Sequence, residues 1–198
     1  IMTSNTSVSA GVVGAAGVSN IDDINITWSP YQYYRSVITG NWTALATWES
    51  SPDNLVWSPA TMAPSNYSRT ITVRSPHTVT INTNVRTDET NIENGAVLNW
   101  ASAVLTLANG TGSDLTVDGT LSDNSSSNVT FNTGATWMLG AAGTIIKTSA
   151  GSSNNWRDNY NTGIVNIPST ANWIIRKTGA PNPSVSTINM YYPNFTVE

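Results

Sequence analysis

The stretch Asp114-Leu115-Thr116-Val117-Asp118-Gly119-Thr120-Leu121 sits in the middle of a chain that repeats itself. Its last four residues follow the order polar or small, Gly, small, aliphatic. The same order occurs in Asn94-Gly95-Ala96-Val97 and in Ala142-Gly143-Thr144-Ile145, at a spacing of about 24 residues. A second register keeps the same step: Leu105-Thr106-Leu107-Ala108-Asn109-Gly110-Thr111 matches Val129-Thr130-Phe131-Asn132-Thr133-Gly134-Ala135.

Within each unit apolar and polar residues alternate, as in Thr70-Ile71-Thr72-Val73, Thr78-Val79-Thr80-Ile81 and Leu115-Thr116-Val117. A period of two means strand, with one face apolar and the other lined by Thr. Strands of three to five residues divided by Gly, Asn, Asp or Pro, two or three to a unit, suit one coil of a solenoid. The expected architecture is therefore all-β, a right-handed parallel β-helix. In it Gly95, Gly119 and Gly143 would stack at one corner that needs positive φ. Val97, Leu121 and Ile145 would form an inward ladder. An antiparallel sandwich also accounts for many short strands, but it predicts no fixed period.

Composition agrees with strands and turns. Only 10% of the 198 residues are charged, 39% are hydrophobic, and Ser, Thr and Asn together exceed a third of the chain. A net charge of -4 with scattered Lys and Arg gives no basic field for nucleic acid or for a membrane surface. The absence of Cys excludes disulfides and thiolate metal sites. No stretch is apolar enough for membrane insertion, and residues 1–20 fit neither a signal peptide nor a spanning helix.

Three regions are expected: an extended arm over 1–23, an aromatic N-terminal cap over 24–68, and the parallel β-helix over 69–198. Trp28, Trp42, Trp48 and Trp57 crowd the second region, as a cover for the open end of an apolar stack would require. A start at Ile1 suggests a processed product. Phe195-Thr196-Val197-Glu198 reads as a strand, so the helix is expected to continue or to be covered by another chain.

Gly40-Asn41-Trp42, Ala46-Thr47-Trp48-Glu49, Arg69-Thr70-Ile71-Thr72-Val73 and His77-Thr78-Val79-Thr80 begin a wider resemblance. It runs on through residues 114–121, Gly143-Thr144-Ile145-Ile146-Lys147-Thr148, Trp156-Arg157-Asp158-Asn159-Tyr160 and Tyr191-Tyr192-Pro193-Asn194. From about Thr39 onward the chain resembles the β-solenoid region of large secreted and surface proteins of Bacteroidota-type bacteria, exported by the type IX pathway. The resemblance implies an extracellular location and no defined reaction.

Chemical signals are sparse. His77, the only histidine, would need a Ser and a carboxylate to form a nucleophilic triad; a turn role at a coil corner is the plainer reading. Asp88, Glu89 and Glu93 on one coil and Asp114, Asp118 and Asp123 on the next are placed to converge on Ca²⁺ or a sugar if coils stack, or to serve as turn caps. Trp156, Arg157, Asp158 and Tyr160 form the candidate ligand-binding patch, stacking on a sugar ring or anchoring their own loop. Threonine arrays able to order water would need uninterrupted double files, which the Thr spacing does not supply.

The expectation from sequence is a non-catalytic, extracellular structural or adhesive solenoid without an obligatory cofactor. Its expected partners are neighbouring modules of the same polypeptide, identical subunits, or surface glycans. A carbohydrate-binding or polysaccharide-degrading β-helix is the alternative.

Overall fold

A computed structural model describes residues 32–125, 129–148, 170–175 and 194–197. The expected arm, Trp28 and the patch from Trp156 to Tyr160 lie outside the described residues. What is described is a parallel β-solenoid.

The N-terminal strands are β1 (Tyr33–Ser36), β2 (Gly40–Asn41), β3 (Trp48–Ser51) and β4 (Ser58–Pro59), with a 3-10 turn at Leu45–Thr47. The first full coil holds β5 (Ile71–Val73), β6 (Thr78–Ile81) and β7 (Val85–Thr87). The second holds β8 (Thr90–Ile92), β9 (Val97–Trp100) and β10 (Leu105–Leu107). The third holds β11 (Leu115–Val117), β12 (Thr120–Asp123) and β13 (Val129–Phe131). Then follow β14 (Trp137–Leu139), β15 (Thr144–Lys147), β16 (Asn172–Ile175) and β17 (Asn194–Val197).

These strands form three sheets running along the stack. Sheet one has the order β14-β11-β8-β5-β1-β3-β4, sheet two β17-β16-β15-β12-β9-β6-β2, and sheet three β13-β10-β7. Every pairing is parallel except β1 with β3 and β3 with β4. That parallel arrangement follows from the repeat: each strand leaves both backbone edges unpaired, and the equivalent strand of the next coil satisfies them.

The alternation seen in the sequence becomes an inside and an outside. Val79, Leu98, Leu121 and Ile145 stack inward in sheet two, each at most 1% exposed. Val73, Ile92, Val117 and Leu139 do the same in sheet one, and Val85, Leu105 and Val129 in sheet three. Burying each such side chain contributes about 1.5–3 kcal/mol, so every added coil covers the apolar face of the last.

The register corrects one expectation. Val97 pairs with Thr120, not Leu121, and faces partly outward; the inward ladder runs through Leu98. The residue opposite Gly119 is accordingly Ala96, and Gly95 falls one place short of the column that Gly119 and Gly143 share. The coils differ in length: the step is 19 residues from Thr78 to Val97, 23 to Thr120 and 24 to Thr144. Corners absorb the difference, since only the strands must match. The Leu105-to-Val129 register holds as expected.

Gly119 also serves a different purpose from the one expected. Gly95 has φ +84°, but Gly119 and Gly143 are not in the left-handed region. A Cβ at Gly119 would lie within 3.0 Å of the carbonyl oxygens of Glu93 and Ala96, so glycine is required there by the close approach of the preceding coil.

Trp42 and Trp48 close the N-terminal end of the core, both 1% exposed. Trp42 takes the place before Ile81, its amide donating to Thr80 O at 2.8 Å. The two indoles meet edge to face at 5.2 Å, and their ring N–H groups donate to Pro64 O and Trp42 O at 3.0 and 2.7 Å. Both the apolar bulk and the polar tip of each ring are thus satisfied.

Candidate functional site

The corner between sheets three and one gathers the most chemistry. β7 is followed by Asp88 and Glu89, β10 by Ala108 and Asn109, and β13 by Asn132 and Thr133. Parallel bonding continues past the strand ends, with the Ala108 amide donating to Thr87 O at 2.8 Å and the Asn132 amide to Leu107 O at 2.9 Å. Asp88, Ala108 and Asn132 therefore make one column along the stack, and Asn109 and Thr133 belong to the next.

Beside this corner lies a cavity of about 600 Å³, lined by those residues together with Arg86, Phe131, Asn66 and Tyr67. Arg86 projects from the outward face of β7, while Asn66 and Tyr67 come from the loop before β5. Tyr67 is 69% exposed. Among the described residues the side chains of Asn66, Arg86, Asn109, Asn132 and Thr133 form no hydrogen bond or ion pair.

Beneath the groove two carboxylates from successive coils meet. Asp114 is fully buried and accepts hydrogen bonds from the Gly110 and Thr136 amides at 2.7 and 2.5 Å and from the Thr136 hydroxyl at 3.3 Å. Asp88 lies against it, in space that a side chain at Gly110 would fill. Burial is the largest influence on Asp88, followed by its hydrogen bond to Asp114 and repulsion from that carboxylate. Together they push its pKa from the ordinary 3.8 up to about 7, against the lowering effect of the Glu89 amide it accepts at 2.9 Å. Below about pH 7 the pair thus holds a proton on Asp88, which spares the fold two adjacent buried charges.

Glu89 completes the corner with φ +41°, a region rare for a residue with a side chain. Its carboxylate fixes the next coil by accepting from the Thr111 amide and hydroxyl at 3.2 and 2.5 Å.

The other acidic residues disperse. Glu93 accepts from the Ser75 amide at 3.1 Å, and Asp118 is exposed at a corner. Asp123 bonds Lys147 Nζ at 2.8 Å. Among the described residues no group of three or more carboxylate or imidazole side chains is placed to hold a metal ion. His77 Nδ1 shares a hydrogen bond of 2.9 Å with Ser36 Oγ, but Ser36 is fully buried and also accepts from the Arg74 amide at 2.8 Å. That pair ties β1 to the corner before β6, and its hydroxyl is closed to a substrate.

Sequence reasoning placed Asp88 and Asp114 on adjacent coils but missed Asn66, Tyr67, Arg86, Asn132 and Thr133. The available signal was the matched pair of corners Asn109-Gly110 and Thr133-Gly134, which recur one coil apart and must stack. No protein-family model, no curated protein and no solved structure matches the chain. No helix among the described residues is long and apolar enough to cross a membrane.

Proposed function

We propose that this chain is an extracellular, non-catalytic β-solenoid module with a structural or adhesive role, of the kind carried by the type IX-exported surface proteins it resembles. The observation that carries this reading is the unbroken succession β2, β6, β9, β12, β15, β16, β17, in which each strand lies parallel and in register on the one before. Such a stack resists bending because every coil is held by a full ladder of backbone bonds and a shared apolar column. Its neighbours would be further modules of the same polypeptide or identical subunits.

Duplicating the coil formed by residues 97–119 tests the mechanical part. Small-angle scattering should show a rod longer by about 4.8 Å with an intact single unfolding transition; an unchanged length or a collapsed particle refutes it. Antibody labelling of intact source cells tests the location, and signal only after permeabilisation argues against it.

The groove favours a second reading, carbohydrate binding. It combines an exposed tyrosine ring, amides able both to donate and to accept, and an arginine, which suits hydroxyl-bearing rings. It supports binding over cleavage, because Asp114 is sealed from the groove and engaged by backbone amides.

A further inference from the structure

We propose that the groove at the corner of sheets three and one binds a linear, carboxylate-bearing glycan, with Arg86 as the residue that selects the acid. The inference rests on the carbohydrate-binding reading of this groove and adds the ligand's shape and charge.

Shape comes from the solenoid itself. The groove crosses three coils, from Arg86 on the first past Asn109 on the second to Asn132 and Thr133 on the third. Successive coils rise by about 4.8 Å, so polar groups recur along the axis at nearly regular intervals. A branched or compact ligand would meet one coil; an extended chain meets all three. Tyr67, from the loop before β5, offers an aromatic face at the first-coil end, where the apolar side of a sugar ring can lie.

Charge comes from Arg86. Its guanidinium is exposed and has no carboxylate partner among the described residues, while Arg35, the other arginine lying within a described strand, is held by Glu49 at 2.8 Å. A planar cation left open beside amides is fitted to a carboxylate, which it meets with two parallel bonds. Asp88, the acid among the lining residues, bonds Asp114 and forms no ion pair with Arg86. An acidic peptide supplies carboxylates too, but the groove meets its occupant with the side-chain amides of Asn66, Asn109 and Asn132, which suit ring hydroxyls.

Calorimetric titration of the full chain tests this with linear oligogalacturonate and oligomannuronate, the same oligomers with carboxyls reduced to alcohols, and an aspartate-rich peptide. Saturable binding of at least one oligouronide is expected, about tenfold weaker after carboxyl reduction and about tenfold weaker in Arg86→Gln. Tyr67→Ala should also weaken it, and Arg74→Gln, at a different corner, should leave it unchanged. Equal binding of the reduced oligomer, or an unaffected Arg86→Gln variant, overturns the acidic ligand while keeping the glycan reading. No binding of any glycan, or tighter binding of the peptide, overturns both. Circular dichroism of each variant separates lost contacts from lost fold.

Discussion

Lys147 stands one coil beyond Asp123, and its ammonium meets that carboxylate at 2.8 Å inside the solenoid, with side-chain exposures of only 7% and 1%. The two interrupt an otherwise apolar file, in which Trp42 and Ile81 precede Trp100, Asp123 and Lys147. Lys147 also reaches Ser125 O at 3.4 Å, so the pair fastens the turn after β12 as well as the two coils.

Removing one partner should cost far more than removing both. Lys147→Met leaves a buried carboxylate facing a thioether and is expected to destabilise the chain by about 3–5 kcal/mol, whereas Asp123→Leu with Lys147→Met should recover most of that loss. Urea denaturation of the two variants checks this; a double variant no more stable than the single one would show that the charges do more than neutralise each other.

Glycine is needed at position 119 for space and at position 95 for conformation, and the two requirements differ in cost. Gly119→Ala forces a Cβ against two carbonyl oxygens of the coil before it, with an expected loss of about 1–3 kcal/mol or more. Gly95→Ala has to hold a φ of +84° and meets only the hydroxyl tip of Ser75 at 2.8 Å, costing about 1 kcal/mol. Chemical denaturation midpoints should fall in that order, and the reverse order would contradict the packing argument.

Trp42→Ala opens the end of the core. The indole is 1% exposed and its N–H holds Pro64, so about 3–5 kcal/mol should be lost, with the near-ultraviolet dichroism of the indole pair. A variant with an unchanged midpoint would mean that the first coil is closed by something else.

The Asp88–Asp114 pair makes stability depend on pH in an unusual direction. With its pKa raised to about 7, folded Asp88 keeps its proton between about pH 4 and 7, where the unfolded chain has released it. The native state binds more protons over that window, so stability falls as pH rises through it; the contribution is complete below about pH 4 and gone above about pH 7. Thermal unfolding across the window should show a falling midpoint, and Asp88→Asn should flatten the profile. A wild-type midpoint that rises or stays level from pH 4 to 7 refutes the protonated pair.

Strands and their inward faces were legible in the sequence because alternation of Val, Ile and Leu with Thr depends on neighbouring residues alone. The register was legible only where corners keep one length: Leu105 and Val129 pair as their matching flanks suggest, while Val97 is displaced by a single residue. A motif comparison aligns glycine with glycine, but the sheet aligns faces, so Ala96 took the place expected for Gly95. Arg86 and Tyr67 carry no periodic signal; they come together only because the loop before β5 lies beside the first coil. The patch around Trp156 lies outside the described residues.

The short antiparallel ribbon at the N-terminal side gives the molecule a direction. β3 occupies the free margin of β1, and β4, itself only two residues ending in Pro59, follows it. On sheet two the corresponding margin is β2, also two residues. Sheet three ends on that side at β7, so among the described residues the three-residue margin of Val85–Thr87 is the longest backbone edge that side offers. The opposite side presents β14, β17 and β13 instead, all parallel members of the stack, so the two sides differ and any array built from such modules has a head and a tail.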